Sequence, residues 1–596
     1  TLEKQRLLFS PGSGYRSETG GLTGNLRQLS SDEIRQFHES TYSPDNLCLI
    51  VSGNVPEDEL LMIVQEWDDL LPTFDSDIRK RPFLDSKPSQ IPPKLNKTIE
   101  TKVEFPELDE SQGELLFAWI GEQYHSHVEN LAIELLLEYF TESALAPFTK
   151  ELIEIRDPYA NYTDYWTDDF MRTIINVGVH GVPTAKLEAT KAKVLDIFCK
   201  HEIDMERMKQ VLDNGKWDYI LRCERNGDSV LSQAAITDFI YGEEDGSSLK
   251  KMLKDLSDFE TLFKWNKYEW SQLQQRIFID NHPAIVTATP SSKMYDRINN
   301  EKEELIKQRQ QKYKDIGKAA LRESLDRAIL LNDKPIPDAI LEQFLISNPE
   351  KSVDFINCKG ITAIDKFKWN NKSDEITRQL LAYKPADFPL FIHLEHFPSQ
   401  FVDLHFLLNS RCIKDTKLLP YYYIIREIFS LPMQDESGKI IPFEKVVSQL
   451  KSDTVESNIS MGLQGSVPDL IDFNILCRAE NYAKAAEWMK HCLFDMKFDE
   501  NRVKLLLENY MDSLVEQKRE GENMLESLTN RTLYSDRSVK KSTDALFVEE
   551  RLEEILEIIE SGGYEEKILP RLDTVRSQLR SNFSKFHILI MGDGAK

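Results

Sequence analysis

PGSGYRSETGGLTGNLRQLSSDEIRQFHESTYSPDNLCLIVSGNV, from Pro11 to Val55, is the most informative stretch of the sequence. Its first part is rich in glycine, which reaches backbone angles that other residues avoid, so we expect an irregular loop there. Ser30 and Glu33 have the spacing of a helix capping box, which predicts a helix that ends before Pro44. The short apolar run Leu47–Val51 predicts a strand buried on both faces. Acidic residues after Pro56 predict the start of another helix.

Two motifs in this stretch resemble a known family. The run Gly-Ser-Gly-Tyr-Arg-Ser-Glu-Thr-Gly-Gly from Gly12 to Gly21 is similar to the closing part of the catalytic domain in pitrilysin or insulinase-like zinc metalloproteases, the inverzincins. The later signal Tyr-x-Pro-x-Asn-Leu also matches, and the best match is to the large eukaryotic type with four homologous domains. The residues that carry the resemblance, to which we assign a structural role, are Gly12, Gly14, Tyr15, Arg16, Glu18, Gly20, Gly21, Tyr42, Pro44, Asn46 and Leu47.

The resemblance also implies where the chemistry of the family lies. These enzymes carry H-x-x-E-H on one helix, where two histidines bind zinc and the glutamate acts on a zinc-bound water. A glutamate on a following helix is the third ligand, and both elements lie upstream of the Gly-rich block. No H-x-x-E-H occurs in the sequence. We therefore expect zinc in a full-length parent, and no catalytic or metal-binding residue in this chain.

The implied fold is α+β, with repeated pitrilysin-like domains that each hold a mostly antiparallel sheet packed with helices. Three apolar runs that follow helices, Leu47–Gly53, Ala284–Ala288 and Phe586–Gly592, predict the same late strand in successive domains. We expect the C-terminal part of a first, catalytic domain with its linker at 1–97, a second domain at 98–297, a helical connector at 298–350 and a third domain at 351–596. Strands are also predicted at 113–121, at 389–394 and at 401–408, the latter two as an edge-like pair.

Composition limits the partners and the compartment. The net charge of −26 argues against a nucleic-acid partner, because phosphate binding needs a basic face. It permits a preference for basic peptides, although a solvated acidic surface explains it as well. No apolar stretch is long enough to span a bilayer. Seven scattered cysteines without a C-x-x-C pair indicate a reducing compartment, so we expect a cytoplasmic location, with a mitochondrial one as the alternative.

Other candidate sites have simpler interpretations. His393, Glu395 and His396 are one residue short of the zinc motif and lie between prolines, which favours a strand. His125, His127 and Glu129 at a helix start form a weak metal signal that capping explains. The glycines at the start of the block lack the remaining features of a phosphate-binding loop.

Two further features of the sequence have open interpretations. Arg16 and Glu18 are hypothesised to hold the Gly-rich loop by an ion pair. The aromatic residues after Arg156 indicate core or interdomain packing, or alternatively a wall of a peptide chamber; they are Tyr159, Tyr162, Tyr165 and Trp166.

The resulting hypothesis is a fragment of a zinc-dependent metalloendopeptidase that degrades peptides in an enclosed chamber, inactive as this chain alone. Its expected partners are peptide substrates and the remaining parts of the parent, namely the zinc-site segment and a fourth domain. The alternative is a non-catalytic peptide-binding or scaffold subunit with the same fold. A third hypothesis is an unrelated α+β interaction protein, in which the three strand runs match by coincidence.

Overall fold

The computed structural model describes residues 1–44, 47–71, 81–314, 317–346, 348–352, 355–363, 375–383, 385, 388, 390–461 and 467–595. The chain is α+β, as predicted, and its two larger sheets are mostly antiparallel and packed with helices. The Asn46 position of the family motif lies outside the described residues, and so does Pro389 at the start of a predicted strand.

The N-terminal sheet is built from five strands in the order β1-β5-β2-β4-β3. The predicted strand at 113–121 is the second of them, and the predicted strand at 284–288 is the last. β5 is parallel to β1 and antiparallel to β2, so the final strand is inserted between the first two. The strands are β1 Ile99–Pro106, β2 Gln112–Gln123, β3 Tyr162–Asp168, β4 Arg172–Pro183 and β5 Ala284–Ser291.

The C-terminal sheet has the order β11-β12-β8-β13-β7-β6. Its strands are β6 Lys359–Ala363, β7 Phe391–His396, β8 Phe401–Asn409, β11 Glu456–Met461, β12 Leu470–Arg478 and β13 His587–Gly592. A small hairpin is formed by β9 Met433–Gln434 and β10 Ile440–Ile441. β13 is parallel to β7 and antiparallel to β8. The prediction of an edge-like pair at β7 and β8 is therefore wrong, because β13 lies between them and both are interior.

The two sheets repeat one connectivity. In each, the last strand follows helices and is inserted between two consecutive strands, β1 and β2 in one sheet and β7 and β8 in the other, parallel to the earlier strand and antiparallel to the later one. The C-terminal sheet has one further strand, β6, at the edge beside β7. The predicted equivalence of the 284–288 and 586–592 runs is thus confirmed in strand order. The first member of the predicted set, Leu47–Val51, is not a strand, and its side chains are exposed. A strand buried on both faces needs neighbours, and no strand in the described part of the chain pairs with it.

Helices in the first 97 residues follow the sequence signals. They are α1 Leu2–Leu8, α2 Thr23–Leu26, α3 Ser31–Thr41, α4 Glu57–Leu70 and α5 Pro82–Asp85. The capping box is confirmed: the Ser30 side chain accepts from the Glu33 backbone N–H, and the Glu33 carboxylate accepts from the Ser30 backbone N–H. The helix after Pro56 is confirmed as well.

Helices cover one face of each sheet. Around the N-terminal sheet lie α6 His127–Thr141, α7 Leu187–Lys200, α8 Met205–Tyr241, α9 Ser247–Met252, α10 Asp255–Leu262 and α11 Lys267–Gln274. The chain then continues through α12 Ser292–Lys312, α13 Lys318–Asn332, α14 Asp338–Leu341 and α15 Pro349–Ser352. Neither α12 nor α13 buries a residue among those described.

The remaining helices belong to the C-terminal sheet. They are α16 Glu375–Tyr383, α17 Tyr422–Arg426, α18 Phe443–Asp453, α19 Tyr482–Phe494, α20 Glu500–Arg519, α21 Gly521–Leu533, α22 Val539–Ser542, α23 Ala545–Glu560 and α24 Leu569–Ser581. Buried apolar side chains on alternate positions of β8, β12 and β13 pack against these helices and form the larger core. The opposite face of the same strands is the polar one.

Candidate functional site

The polar face of the C-terminal sheet forms the floor of a large cavity. Asp403 and His405 on β8 alternate with apolar residues that point into the core, and Asp472 and Asn474 on β12 do the same. Successive side chains of a strand point to opposite faces, so all four lie on the face away from the helices. The cavity has a volume of about 1330 Å³.

His405 is the centre of a hydrogen-bonded network on this floor. Its Nδ1 lies 2.9 Å from Asp472 Oδ2, and its Nε2 lies 3.4 Å from Asp403 Oδ1. The Asn474 amide donates to Asp403 Oδ1 at 2.5 Å. Burial alone would lower the pKa of His405, but hydrogen bonds to Asp403 and Asp472 outweigh it and raise the pKa to about 9. The imidazole is therefore charged at neutral pH and holds the two carboxylates together.

The wall opposite the floor comes from α8, which belongs to the N-terminal sheet. Glu224 of this helix accepts from the Ser399 hydroxyl at 2.7 Å and from the Gln400 backbone N–H at 3.0 Å. Arg225 donates to Glu456 of β11 at 3.0 Å. Leu221 forms a small apolar cluster with residues of β8 and β12. The cavity thus lies between elements that are far apart in the chain.

The lining of this cavity is mixed in character. Four carboxylates line it, against two arginines and the charged His405, so its net charge is slightly negative. Apolar side chains such as Leu589 and Met591 of β13 lie beside them. A surface of alternating polar and apolar groups suits an extended polypeptide better than a single small ion.

The corresponding face of the N-terminal sheet is largely covered. Residues before, within and after the motif stretch pack on Ala118, Ile120, Ile174 and Ala284; the covering residues are Leu8, Phe9, Tyr15, Ile91 and Leu95. Lys4 is buried on this face and donates to Asp168 at 2.6 Å and to Asn176 at 2.9 Å. Farther along the same face, His180 hydrogen bonds to Asp164 at 3.0 Å, and the side chains of Glu114 and Asp164 are partly exposed.

A second cavity, of about 650 Å³, lies on the helical side of the N-terminal sheet. The His127 side chain of the weak metal candidate lines it, and burial lowers the pKa of this histidine. His127 Nε2 is buried without a hydrogen-bond partner in the structure. The long helix α8 is interrupted beside this cavity at Asn226, whose φ is −140° and ψ is 44°.

The family-motif residues divide into packed and exposed ones. Tyr15 is buried among Phe9, Phe83 and Phe170, and its hydroxyl lies 2.9 Å from the Tyr241 hydroxyl at the end of α8. Gly12 and Gly21 have φ of +90° and +76°, which glycine alone adopts without strain. A Cβ at Gly14 would come within 2.8 Å of the Phe83 ring, so a close contact requires glycine there.

The other motif residues do not take part in this packing. Gly20, Tyr42 and Leu47 are exposed, and Pro44 contributes no buried contact to a core. Tyr42 stacks on His38 with ring centroids 4.7 Å apart. The motif residues are therefore not gathered into one site in this chain.

The ion pair hypothesised between Arg16 and Glu18 is wrong. Arg16 donates instead to the backbone carbonyl of Phe9 at 3.2 Å. The Glu18 carboxylate accepts from the Gly20 backbone N–H at 3.4 Å, which is local turn geometry. Each side chain supports the backbone separately.

His393, Glu395 and His396 lie on β7, as the prolines around them predict. His393 and Glu395 are on one side and hydrogen bonded to each other, while His396 Nδ1 accepts from the Gly594 backbone N–H at 3.0 Å on the other side. Across the described residues, no group of three or more His, Cys, Asp or Glu side chains is placed to hold a metal ion. The donor set therefore does not fit the zinc that the family resemblance implies.

The aromatic stretch after Arg156 lies mainly in packing. Tyr159 and Tyr165 pack against the core of the N-terminal sheet. Tyr162 is exposed and stacks on His180 at 4.5 Å. The nearby Asn161 amide donates to the Asp512 carbonyl of α20 at 3.0 Å, so the stretch borders the contact between the two sheets. This favours the packing interpretation over a chamber wall.

Sequence analysis missed the floor residues of the large cavity. The signal was present in the sequence FVDLHFLLN, where polar residues occupy alternate positions of the predicted strand at 401–408. The pairing of β8 with β12, which brings Asp472 beside His405, is not visible in either strand alone.

Comparisons with known proteins agree with the family resemblance. Residues 28–210 match the family model described as the Peptidase M16 inactive domain. An uncharacterized protein of Saccharomyces cerevisiae is 58% identical over all of this chain and 58% of its own length. An uncharacterized protein of Schizosaccharomyces pombe is 29% identical over 91% of this chain and 53% of its own length.

A more distant relative carries a descriptive name. The mitochondrial presequence protease of Xenopus tropicalis is 21% identical over 58% of this chain and 33% of its own length. The chain spans somewhat more than half the length of the first two relatives. Among the described helices, none has the length and apolar character needed to cross a membrane.

Proposed function

We propose, on the premise that this chain is a pitrilysin-like M16 protein, that it binds extended peptides in the cavity between the C-terminal sheet and α8. The observation that carries the proposal is the polar floor of Asp403, His405 and Asp472, enclosed by a helix from the other sheet. In the family context this surface is a non-catalytic wall of a peptidase chamber, and zinc belongs to a longer parent protein.

Ion pairs outside the cavity also connect the elements around the two sheets. Arg502 of α20 is buried and donates to both carboxylate oxygens of Glu154, at 2.7 and 3.1 Å. Arg478 of β12 pairs with Asp213 of α8 and lies 4.6 Å from the Trp217 ring centroid. The bidentate Arg502–Glu154 pair is directional, so it restricts how the elements around the two sheets can move relative to each other.

The peptide class follows from charge. The cavity keeps a slight negative charge while His405 is protonated, so it favours peptides with cationic side chains over acidic ones. Its apolar residues accept the uncharged side chains between them.

The proposed domain organisation is the one predicted from the sequence. Part of a first unit lies at 1–97, a second unit at 98–297, the connector at 298–350 and a third unit at 351–596.

Peptide binding is tested by fluorescence anisotropy with labelled unstructured peptides of equal length and opposite charge. The cationic peptide is expected to bind more tightly. Substituting Met591→Lys places a cation beside the floor and is expected to weaken its binding about fivefold, which corresponds to about 1 kcal/mol. The matched variant Met591→Glu has a similar size and opposite charge, and is expected to bind no more weakly than the wild type. Equal affinity in all three proteins would contradict the proposal.

Hydrolysis is tested separately with the same peptides. No chelator-sensitive cleavage is expected from the purified chain, because its sequence holds no H-x-x-E-H motif. Appreciable cleavage that a chelator abolishes would show that zinc chemistry resides in these residues. The alternative function, a scaffold subunit that braces a partner, predicts neither cleavage nor peptide binding, so the anisotropy measurement separates it from the proposal.

A further inference from the structure

The cavity of about 650 Å³ on the helical side of the N-terminal sheet lies between α6, α8 and α10. This volume is in the range of small-molecule binding sites, roughly 300–1,000 Å³. Leu131, Phe170, Tyr219 and Phe259 contribute apolar surface to its wall. Among the described residues it shares no lining residue with the cavity on the C-terminal sheet, so a peptide bound there does not occupy it.

Three carboxylates from three different elements line this cavity. They are Glu134 of α6, Asp169 after the end of β3 and Asp255 at the start of α10. The Thr167 hydroxyl donates to the Glu134 carboxylate at 3.2 Å. Among the described lining residues, Arg222 has the only lysine or arginine side chain. The lining therefore carries an excess of negative charge when the carboxylates are ionised.

The ionised carboxylates are poorly compensated by the protein. Burial raises the pKa of Glu134, Asp169 and Asp255 above the ordinary values of these groups. The positive charge of Arg222 acts in the opposite direction on the pKa of Glu134 and of Asp255, but burial outweighs it. A cation bound in the cavity would stabilise the ionised form of all three.

His127 of α6 lines the same cavity. Burial lowers the pKa of this histidine, so the ring is neutral at neutral pH and adds no positive charge to the lining. Its Nε2 is buried without a hydrogen-bond partner in the described part of the chain. Buried polar atoms normally have a partner, and a donor on a bound ligand would supply one.

The placement of the acidic groups limits the kind of cation. No three His, Cys, Asp or Glu side chains of the described residues are placed to hold one metal ion, so these carboxylates do not converge on a single point. A ligand with separate cationic groups on an apolar chain reaches carboxylates that lie apart and contacts the apolar wall between them. Ammonium groups on an alkyl chain have this chemistry, since each carries three donors.

We propose that the cavity between α6, α8 and α10 is a binding site for a small aliphatic diamine or polyamine. Its ammonium groups are held by Glu134, Asp169 and Asp255. Its methylene groups lie against Leu131 and Phe170. The site is independent of the peptide cavity, so either proposal can fail alone.

Isothermal titration calorimetry of the whole chain with cadaverine tests the site. One diamine is expected to bind per chain. Pentylamine, which has the same alkyl chain and a single ammonium group, is expected to bind at least about tenfold more weakly. Equal affinity for the two amines would overturn the proposal. Displacement of cadaverine by calcium ions at a comparable concentration would also overturn it, in favour of a metal site.

A charge substitution locates the binding. Glu134→Gln keeps the size of the side chain and an acceptor for Thr167, and is expected to weaken cadaverine binding about tenfold. Glu129→Gln removes a carboxylate of the same helix that does not line the cavity, and is expected to leave the affinity within about twofold of the wild type. This control is needed because the net charge of −26 attracts cations to the whole surface. Equal effects of the two substitutions would overturn the proposal.

A second substitution tests the cavity by its volume and leaves its charge unchanged. Ala234 of α8 lines the cavity, so Ala234→Leu fills part of it and is expected to weaken cadaverine binding at least about fivefold. The thermal midpoint of the variant is measured alongside, to show that the chain remains folded. Wild-type affinity in a folded Ala234→Leu variant would show that the diamine binds elsewhere and would overturn the proposal.

Discussion

The two sheets share a connectivity and differ in what covers one face. In the N-terminal sheet much of that face is covered by Leu8, Tyr15 and their neighbours, with Lys4 buried against Asp168 and Asn176. In the C-terminal sheet the same kind of face keeps Asp403, His405 and Asp472 around an open cavity. A repeated framework therefore carries a largely packed face in one copy and a polar face that lines an open cavity in the other.

The comparison indicates that the two sheets keep the same order of their shared strands, whereas the residues on their outer faces differ. The helix-covered faces of both sheets are mostly apolar, because each must bury against its helices. The outer faces do not pack against these helices, so their residues need not be apolar. Helix α1 and the loop segments near it cover one, and a helix from the other sheet partly encloses the second. We therefore expect a binding site on the outer face of the C-terminal sheet, which is only partly enclosed.

The largest effect is expected from deleting core side chains in each sheet. Phe117→Ala on β2 and Leu404→Ala on β8 remove side chains with 0% and 1% exposure. Each is expected to cost about 3–5 kcal/mol through lost contacts and a residual cavity. If the sheets are separate cooperative units, calorimetry should show that each variant lowers a different transition. A single transition lowered equally by both would show that the sheets unfold together.

The next largest effect on stability is expected from removing the buried ion pair between Lys4 and Asp168. Lys4→Met keeps the length of the side chain and leaves the Asp168 carboxylate and the Asn176 amide without their cation. Breaking such a buried pair is expected to cost about 3 kcal/mol in denaturant unfolding. Arg6→Met is the control on the same helix, since Arg6 makes an exposed ion pair with Glu3 and should change stability by less than about 0.5 kcal/mol. Equal effects of the two substitutions would contradict the description of this face.

The open face predicts a dependence of stability on pH. His405 has a pKa of about 9 in the folded chain, above its value of roughly 6.5 when unfolded. Its contribution is therefore complete below about pH 6.5 and is lost as the pH rises through about 9, with a loss of at most about 3 kcal/mol. His405→Gln should flatten this part of the stability curve.

A second histidine provides the comparison for that experiment. His180 on β4 also has its pKa raised to about 9, since hydrogen bonds to Asp164 and Glu114 outweigh the effect of burial. His180→Gln is expected to remove a separate share of the same pH dependence. A pH profile that neither substitution changes would contradict both assignments.

The smallest effects concern the Gly-rich loop. Arg16→Ala removes a hydrogen bond to the Phe9 carbonyl and is expected to cost about 1 kcal/mol, while Glu18→Ala should be within about 0.5 kcal/mol of neutral. Because the side chains do not contact each other, the double variant is expected to be additive. A coupling energy above about 0.5 kcal/mol in a double-mutant cycle would restore the ion-pair hypothesis.

The sequence predicted the framework well where local signals and burial agree. The capping box at Ser30 and the apolar runs at 113–121, 284–288 and 586–592 are all in the expected elements. These signals depend on a few neighbouring residues, so they can be recognised without knowing the partners. The histidine pair on β7 was also placed correctly, because prolines exclude a helix there.

The sequence failed where a feature depends on a distant partner. Leu47–Val51 has the composition of a central strand, yet a strand forms only with neighbours, and none of the described strands serves as one. The position of β13 between β7 and β8 depends on residues nearly two hundred positions away along the chain. The cavity floor likewise arises from the register that sets His405 opposite Asn474 and beside Asp472.

Photo-crosslinking of a bound peptide tests the central claim most directly. A cationic extended peptide that carries a photoreactive residue at successive positions is bound to the chain, irradiated and mapped by mass spectrometry. We expect crosslinks to concentrate on β11, on β13 and on the part of α8 near Leu221, the elements that surround the open face of the C-terminal sheet. Crosslinks that instead fall in the cavity beside His127, or scatter over the exposed helices α3 and α4, would contradict the account.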